Sequence, residues 1–102
     1  MPDWARVADV GACAPGKLLC VMAGDTTVVL ANVDGELCAL KDECSHEAYP
    51  LSDGDLEGDQ IVCIYHGARF DACTGKNRSL PAVRPVKSYR VETREDGIYV
   101  EV

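Results

Sequence analysis

The segment CSHEAYPLSDGDLEGDQIVCIYHG, residues 44–67, holds the residues from which the fold and chemistry of this chain are best inferred. It opens with Cys44 and His46, and after a further sixteen residues it reaches Cys63 and His66. These are the only two histidines of the chain, which argues against incidental core or surface positions for them. Cysteine thiolates and imidazoles are common ligands of zinc and iron. The segment therefore predicts a metal centre with two Cys and two His ligands.

Turn-forming residues bound both Cys-His pairs. The stretch from Pro50 to Gly54 follows the first pair, and Gly67 directly follows the second. The run from Ile61 to Tyr65 is typical of a strand and leads into the second pair. We therefore expect two loops whose tips lie close together and bring the four ligands to one place.

Short β-strands are predicted for most of the remaining chain. Apolar and β-branched runs alternate with turn signals, and no 3.6-residue period lasts long enough to indicate a helix. Gly24-Asp25 and Asp34-Gly35 separate three such runs and predict two hairpins, with strands at residues 18–21, 27–30 and 37–40. The predicted fold class is therefore all-β.

A third hairpin is predicted at the C-terminal end. Residues 89–93 and 98–102 alternate between apolar and polar side chains, and Asp96-Gly97 lies between them as the turn. Pro81 and Pro85 precede this hairpin and exclude an interior strand, because proline lacks the N–H that a sheet ladder needs. We expect a proline-containing loop there.

Length, hydropathy and charge restrict the class of protein. With 102 residues, of which 47% are hydrophobic, the sequence suffices for one core, so we expect a single domain. We see no targeting segment, and the longest apolar run, Leu18 to Ala23, is too short to span a bilayer. This predicts a cytoplasmic protein without a membrane partner. A net charge of −7 disfavours nucleic acid and suits docking on a basic protein surface.

Two Cys and two His are also an ordinary ligand set for structural zinc. Zinc sites usually pair Cys with Cys and His with His, whereas each half here mixes the two, so a zinc-stapled interaction module remains the outside alternative. A Cys63–His66 nucleophile pair is disfavoured because no oxyanion motif accompanies it. No further histidine is left for a mononuclear iron site, and no G-x-G-x-x-G fingerprint follows a strand. The residues outside the two Cys-His pairs therefore offer no site for these chemistries.

The pattern Cys-x-His, a spacer of this length and then Cys-x-x-His-Gly resembles the Rieske family of iron–sulfur proteins. The resemblance extends beyond the four ligands and covers about residues 36–102. Four further stretches are similar to the ferredoxins that serve bacterial aromatic-ring dioxygenases. These stretches are LSDGDLEGD (51–59), HGARFD (66–71), TG (74–75) and LP (80–81).

This resemblance implies a Rieske fold, in which an antiparallel β base domain carries a small inserted cluster-binding subdomain. The base would comprise residues 1–41 and 81–102 of the single domain 1–102, and the subdomain about 42–80, with a proline loop near Pro81 shielding the cluster. The implied cofactor is one 2Fe-2S cluster of the Rieske type. Its ligands would be two thiolates on one iron and two imidazoles on the other, from Cys44, Cys63, His46 and His66.

The resemblance also implies a function. The expected protein is a soluble, monomeric one-electron carrier and not an enzyme. It would take electrons from a flavin-containing, NAD(P)H-dependent reductase and pass them to a terminal oxygenase or a comparable acceptor. The alternative is a Rieske-like small subunit of a reductase such as nitrite reductase, which would need a large apolar interface that the sequence does not indicate.

The expected reduction potential lies near the low end of the Rieske range. High-potential members carry a disulfide between the cluster loops at the positions of Tyr49 and Tyr65. They also carry a serine and a tyrosine, as donors to sulfur, at the positions of Ala68 and Phe70. Fewer donors stabilise the reduced cluster less, so the resemblance implies a potential of about −150 mV.

The remaining cysteines match no ligand position of the family. Cys20 and Cys38 lie in predicted strands and are expected to be small buried residues. Cys13 and Cys73 lie in predicted loops and are expected to be exposed free thiols. Between the two ligand pairs runs an acidic stretch that is either a solvated face or a docking surface for a basic partner, formed by Asp53, Asp55, Glu57 and Asp59.

Overall fold

In the computed structural model of the chain, residues 3–43, 50–64, 67–78 and 85–102 are described. These ranges contain ten β-strands, one short 3-10 helix at Leu51–Asp53 and no α-helix. The described segments thus include no helix that could span a bilayer. The strands are β1 (Trp4–Ala8), β2 (Leu18–Ala23), β3 (Thr26–Val33), β4 (Glu36–Lys41), β5 (Asp55–Glu57), β6 (Gln60–Val62), β7 (Arg69–Asp71), β8 (Ser88–Tyr89), β9 (Val91–Arg94) and β10 (Gly97–Glu101).

The strands form three antiparallel sheets. Four of them, in the order β2-β3-β4-β8, make the central sheet, while β1-β10-β9 and β5-β6-β7 make two three-stranded sheets. The all-β antiparallel fold predicted from the sequence is confirmed.

Turn chemistry explains the two N-terminal hairpins. Asp34 and Gly35 both have positive φ, 53° and 94°, which is the geometry of a two-residue type I′ turn between β3 and β4. Gly24 has a φ of 62° in the turn between β2 and β3. Both predicted hairpins are therefore confirmed.

The third hairpin is also present, but its turn lies one residue earlier than expected. Gly97 pairs with Arg94, so Glu95 and Asp96 form the turn and Gly97 begins β10. A side chain at position 97 would meet the carbonyl oxygen of Ala8 at 2.8 Å, so glycine is needed there for the close approach of β1. Gly97, which suggested a turn in the sequence, instead allows β10 to pack closely against β1.

The central sheet is buried on both faces. Along β3, Val29 and Ala31 contribute to one core, while Val28 and Leu30 contribute to the other. Because successive strand residues point to opposite faces, a continuous apolar run such as VVLA (28–31) is what a doubly covered strand requires. The second core is shared with β10 and includes Ile98 and Val100.

The first core joins the central sheet to the small sheet β5-β6-β7. From the small-sheet side come Leu51, Ile61, Cys63, Ala68 and Phe70, all fully buried. Their partners in the same core come from the central sheet and its neighbours, namely Val29, Ala31, Leu40, Ala72 and Val86. The small sheet, whose middle strand β6 leads directly into Cys63, is thus fixed to the base by apolar packing.

Several strand expectations need correction. The strand predicted for Ile61 to Tyr65 ends at Val62, because the chain turns at Cys63 and Ile64. The predicted strand at 89–93 is interrupted at Arg90, so Tyr89 pairs with Ala39 in the central sheet. Pro85 lies outside any strand, as expected, whereas the expected loop at Pro81 lies outside the described residues. The N-terminal strand β1 was not predicted from the sequence.

Candidate metal centre

One of the four predicted ligands lies within the described residues. Cys63 directly follows β6, and it is a free cysteine with 0% of its surface exposed. The other three, Cys44, His46 and His66, lie outside the described residues, as do Tyr49 and Tyr65. The placement of the ligand set as a whole therefore remains a prediction.

Cys63 sits in a tight connection between two paired strands. Its N–H donates to the carbonyl of Ala68 at 2.8 Å, and its own carbonyl accepts the N–H of Gly67 at 2.8 Å. Gly67 has a φ of 71°, a conformation that glycine adopts without strain. Since β6 and β7 pair on either side, the loop holding the second Cys-His pair is closed at its base by main-chain bonds.

The surroundings of Cys63 suit a cluster ligand. It belongs to an apolar core with Ile61, Ala68 and Phe70, which excludes water from the thiol. An oxidised cluster with two ferric ions, two sulfides, two thiolates and two neutral imidazoles carries no net charge, so an apolar wall costs it little. The described part of the site is therefore compatible with a Rieske cluster.

A buried carboxylate fastens the segment that holds the first Cys-His pair. Asp42, 8% exposed, accepts the Ser52 N–H at 2.7 Å and the Ser52 hydroxyl at 2.5 Å. The main-chain N–H of Asp42 donates to Thr27 in β3 at 3.0 Å. Because Cys44 and His46 lie between residues 42 and 52, these bonds close that segment at its ends.

Ser52→Ala removes the hydroxyl bond to the Asp42 carboxylate and leaves the main-chain bond from the Ser52 N–H. We expect a loss of about 1 to 2 kcal/mol in the free energy of unfolding, because a buried carboxylate then has one donor fewer. Thermal unfolding of the purified protein measures it, at roughly 4 to 8 °C per kcal/mol.

Ser88→Ala, at an exposed strand position, is the matched control and should leave the Tm nearly unchanged. Equal Tm values for the two variants would show that the Asp42–Ser52 contact does not stabilise the protein.

The two positions at which the sequence resemblance places the hydroxyl groups of high-potential members lie in this core. Ala68 and Phe70 are both fully buried and flank Arg69 at the start of β7. The carbonyl of Ala68 is the acceptor for the Cys63 N–H, so position 68 lies directly beside the predicted thiolate ligand. A hydroxyl at position 68 would therefore be introduced next to this site.

The expectations for the other cysteines are wrong in most respects. Cys38 is buried, as expected, but it forms a disulfide with Cys73, which is expected from the sequence to be an exposed free thiol. Cys13 is buried against the second core instead of exposed. Cys20, expected to be buried, is exposed on the edge strand β2.

The surroundings of the exposed Cys20 thiol do not activate it as a nucleophile. Partial burial and the neighbouring Asp42 carboxylate raise the pKa of this thiol. The thiolate is the reactive form, so a raised pKa leaves less of it at neutral pH. Burial also raises the pKa of Cys13.

The acidic stretch between the ligand pairs is solvent-exposed, as both of its interpretations require. Asp53, Asp55, Glu57 and Asp59 are all exposed. Glu57 pairs with Arg69 at 3.2 Å and Asp59 with Arg78 at 3.8 Å, and exposed pairs of this kind contribute little to stability.

Comparisons with known proteins agree with this picture. The profile of the Rieske [2Fe-2S] domain family matches residues 3–90. The ferredoxin component of biphenyl 2,3-dioxygenase from Rhodococcus jostii (strain RHA1) is 36% identical over 97 residues, covering 95% of this chain and 91% of that protein.

Two solved structures are similar over nearly the whole chain. The Sphingomonas yanoikuyae B1 ferredoxin is 28% identical, with a TM-score of 0.91 and coverage of 98% of this chain and 99% of that one. The ferredoxin in a complex of reduced oxygenase and oxidised ferredoxin of carbazole 1,9a-dioxygenase is 33% identical, with a TM-score of 0.89 and coverage of 96% and 92%. Fold, buried Cys63 and family match together lead to one conclusion: the chain belongs to the Rieske [2Fe-2S] domain family and is a ferredoxin-type protein with one Rieske 2Fe-2S cluster.

Proposed function

We propose that this protein is a soluble cytoplasmic carrier of single electrons that takes them from a flavin-containing, NAD(P)H-dependent reductase and delivers them to a terminal oxygenase. The observation that carries the proposal is the free, fully buried thiol of Cys63 at the β6–β7 connection of a Rieske fold. One similar protein is the ferredoxin component of biphenyl 2,3-dioxygenase, and another was solved in complex with the oxygenase of carbazole 1,9a-dioxygenase.

The cluster would be held by two loops. Cys44 and Cys63 would bind one iron, and His46 and His66 the other, within a cluster-binding subdomain of about residues 42–80 on a base of residues 1–41 and 81–102. When bound, the cluster supplies one reversible electron. The protein supplies the ligands, the apolar wall around Cys63 and the fixed geometry of both loops.

A small subunit bound permanently to a reductase is the second candidate, and the similar proteins do not favour it. We propose that the protein is a monomer that meets its partners transiently, because redox encounters typically bury a small surface. Gel filtration should give the size of one chain. A stable complex with a reductase would favour the subunit instead.

The carrier function is tested by following one electron through the protein. Cluster absorbance in a stopped-flow instrument should show reduction by NADH through a dioxygenase reductase, and reoxidation when terminal oxygenase is added. We expect one electron per chain in each direction. Failure of chemically reduced protein to return its electron to any dioxygenase-type oxygenase would contradict the proposal.

Ile64 is proposed as part of the docking surface. It directly follows Cys63 in sequence, and 55% of its surface is exposed although it is large and apolar. Contact residues near the centre of an interface contribute most to affinity. We expect Ile64→Glu to lower the second-order rate constant for electron delivery to the oxygenase about tenfold, which corresponds to about 1.4 kcal/mol.

Met22→Glu provides a matched control, because Met22 is equally exposed at 55% but lies on β2 of the base. Its rate constant should change less than about twofold. Equal rate constants for Ile64→Glu and Met22→Glu, with intact clusters in both, would remove Ile64 from the docking surface.

The missing hydroxyl groups are proposed to lower the reduction potential. Ala68→Ser and Phe70→Tyr should each raise it by about 40 to 90 mV, if the new hydrogen bond is worth about 1 to 2 kcal/mol more in the reduced state. Protein-film voltammetry at one pH measures the shift.

Ala72→Ser is the control, because it introduces a hydroxyl into the same core at a position that is not expected to bond to the cluster or its ligands. Ala72 is fully buried and lies two residues after Phe70. Its potential should stay that of the parent protein. Unchanged potentials in both Ala68→Ser and Phe70→Tyr would mean that solvent exposure and charge set the potential instead.

A further inference from the structure

A disulfide connects the central sheet to the turn that follows the small sheet. Cys38 lies on β4 and Cys73 lies just after β7, and their Cα atoms are 4.8 Å apart. The bond joins residues separated by 35 positions in sequence. All four proposed cluster ligands lie between them, so the disulfide encloses the whole ligand-bearing segment in one covalent loop.

The turn that carries Cys73 is rigidly built. The Oδ1 atom of Asp71 accepts the N–H groups of Cys73 and Thr74, each at 2.9 Å. Arg78 forms an ion pair with the same carboxylate. Burial opposes the ionisation of Asp71, but these two N–H groups and Arg78 outweigh it and lower the pKa of the carboxyl. Cys73 is therefore held in place by contacts other than the disulfide.

This turn also lies flat on the face of β4 that presents Cys38. Residues 38 and 40 share one face of the strand, and a side chain at Gly75 would approach the Leu40 side chain to 3.3 Å. The carbonyl of Gly75 accepts the Val86 N–H at 2.8 Å. The disulfide thus lies in a contact zone between the base and the ligand-bearing segment.

The two sulfur atoms differ in accessibility. Cys38 is buried, with 7% of its surface exposed, whereas Cys73 is half-buried. Thiol–disulfide exchange requires a thiolate to reach one of the sulfur atoms. An incoming thiolate therefore reaches Cys73 first and releases Cys38.

We propose that Cys38 and Cys73 are a second redox site of this protein, a two-electron dithiol/disulfide couple that locks the ligand-bearing segment to the base. The reactant is a dithiol of the Cys-x-x-Cys class. One of its thiolates attacks Cys73 Sγ, which breaks the bond and releases the Cys38 thiolate. Its second thiol then displaces Cys73, so the reactant becomes a disulfide and both cysteines become thiols. The effect on the cluster, though not the couple itself, rests on the proposed ligands.

Opening the bond should make the cluster easier to lose. A cross-link of this loop length restricts the open ensemble, and its removal should raise the fraction of open molecules roughly 30-fold to 1,000-fold. Clusters escape from open molecules. Reduction by a dithiol therefore converts a tightly closed carrier into one that exchanges or loses its cluster more readily.

The couple itself is tested by counting thiols. The protein is equilibrated with oxidised or with reduced dithiothreitol, then denatured in N-ethylmaleimide and weighed by mass spectrometry. Of the six cysteines, four should be alkylated after oxidation and six after reduction, with peptides containing Cys38 and Cys73 joined in the first case. Six alkylated cysteines under both conditions would overturn the proposal.

The lock is tested by the rate of cluster loss to an iron chelator. Reduced wild-type protein should release iron at least 30-fold faster than oxidised wild-type protein. Dithiothreitol also reduces the cluster, so the variant Cys38→Ala/Cys73→Ser is the control: it should release iron quickly and at the same rate with and without dithiol.

Cys20→Ser is the second control, because it removes an exposed cysteine outside the pair and should behave as the wild type does. Equal release rates for oxidised and reduced wild-type protein would overturn the lock. A protein that holds no 2Fe-2S cluster would contradict the proposed function, whereas the thiol count would still decide the couple.

Discussion

Alanine at any one of Cys44, His46, Cys63 or His66 is expected to abolish stable assembly of the 2Fe-2S cluster. Each iron needs two protein ligands besides the two sulfides, so a single deletion leaves an open coordination position. The visible spectrum, the EPR signal of the reduced protein and the iron content should all fall to background. Structural metal sites contribute to folding energy, so these variants should also unfold more easily.

Cys20→Ser is the appropriate control for the cysteine variants, since Cys20 is a free, exposed cysteine on β2. It should keep the complete spectrum of the parent protein. A variant at one of the four positions that also kept this spectrum would remove its residue from the ligand set.

Gly75→Ala is expected to be strongly destabilising. The φ of Gly75 is 78°, and a Cβ at this position would lie 1.9 Å from the carbonyl oxygen of Val86. Because the obstacle is main chain, the turn or the segment at 85–87 has to move. We expect a loss of about 3 to 5 kcal/mol, seen as a fall in Tm of more than about 12 °C.

Gly58→Ala separates the effect of space from the effect of conformation. Gly58 has a φ of 63°, but a Cβ there would meet nothing within 4 Å. Alanine at this position should cost only the left-handed backbone penalty of about 1 kcal/mol. Similar Tm values for both alanine variants would show that the close approach of Gly75 and Val86 does not contribute to stability.

The hairpins of the fold could be predicted because their signals are local. Asp34-Gly35 and Gly24-Asp25 specify tight turns by their own conformational preferences, and the apolar runs beside them fix the strands. The sequence places the third turn one residue too late, because Gly97 resembles a turn residue. Its role depends instead on contact with β1, which is 89 or more residues away in sequence. A sequence window around residue 97 contains no trace of that contact.

The cysteines show the same limit more clearly. A predicted strand at Cys38 and a predicted loop at Cys73 gave no reason to pair them, since the contact arises only when the turn after β7 packs on β4. The Asp42–Ser52 contact likewise depends on the three-dimensional path of the chain and leaves no local signal in the sequence. By contrast, the ligand set could be proposed from the sequence, because a metal dictates residue types and spacing directly.

The most direct test of the account is the spectrum and composition of the purified protein. We predict a coloured protein with two iron and two acid-labile sulfide per chain, and a Rieske-type EPR signal after one-electron reduction. A colourless protein with stoichiometric zinc and no sulfide would contradict the assignment of a 2Fe-2S cluster and, with it, the proposed carriage of electrons.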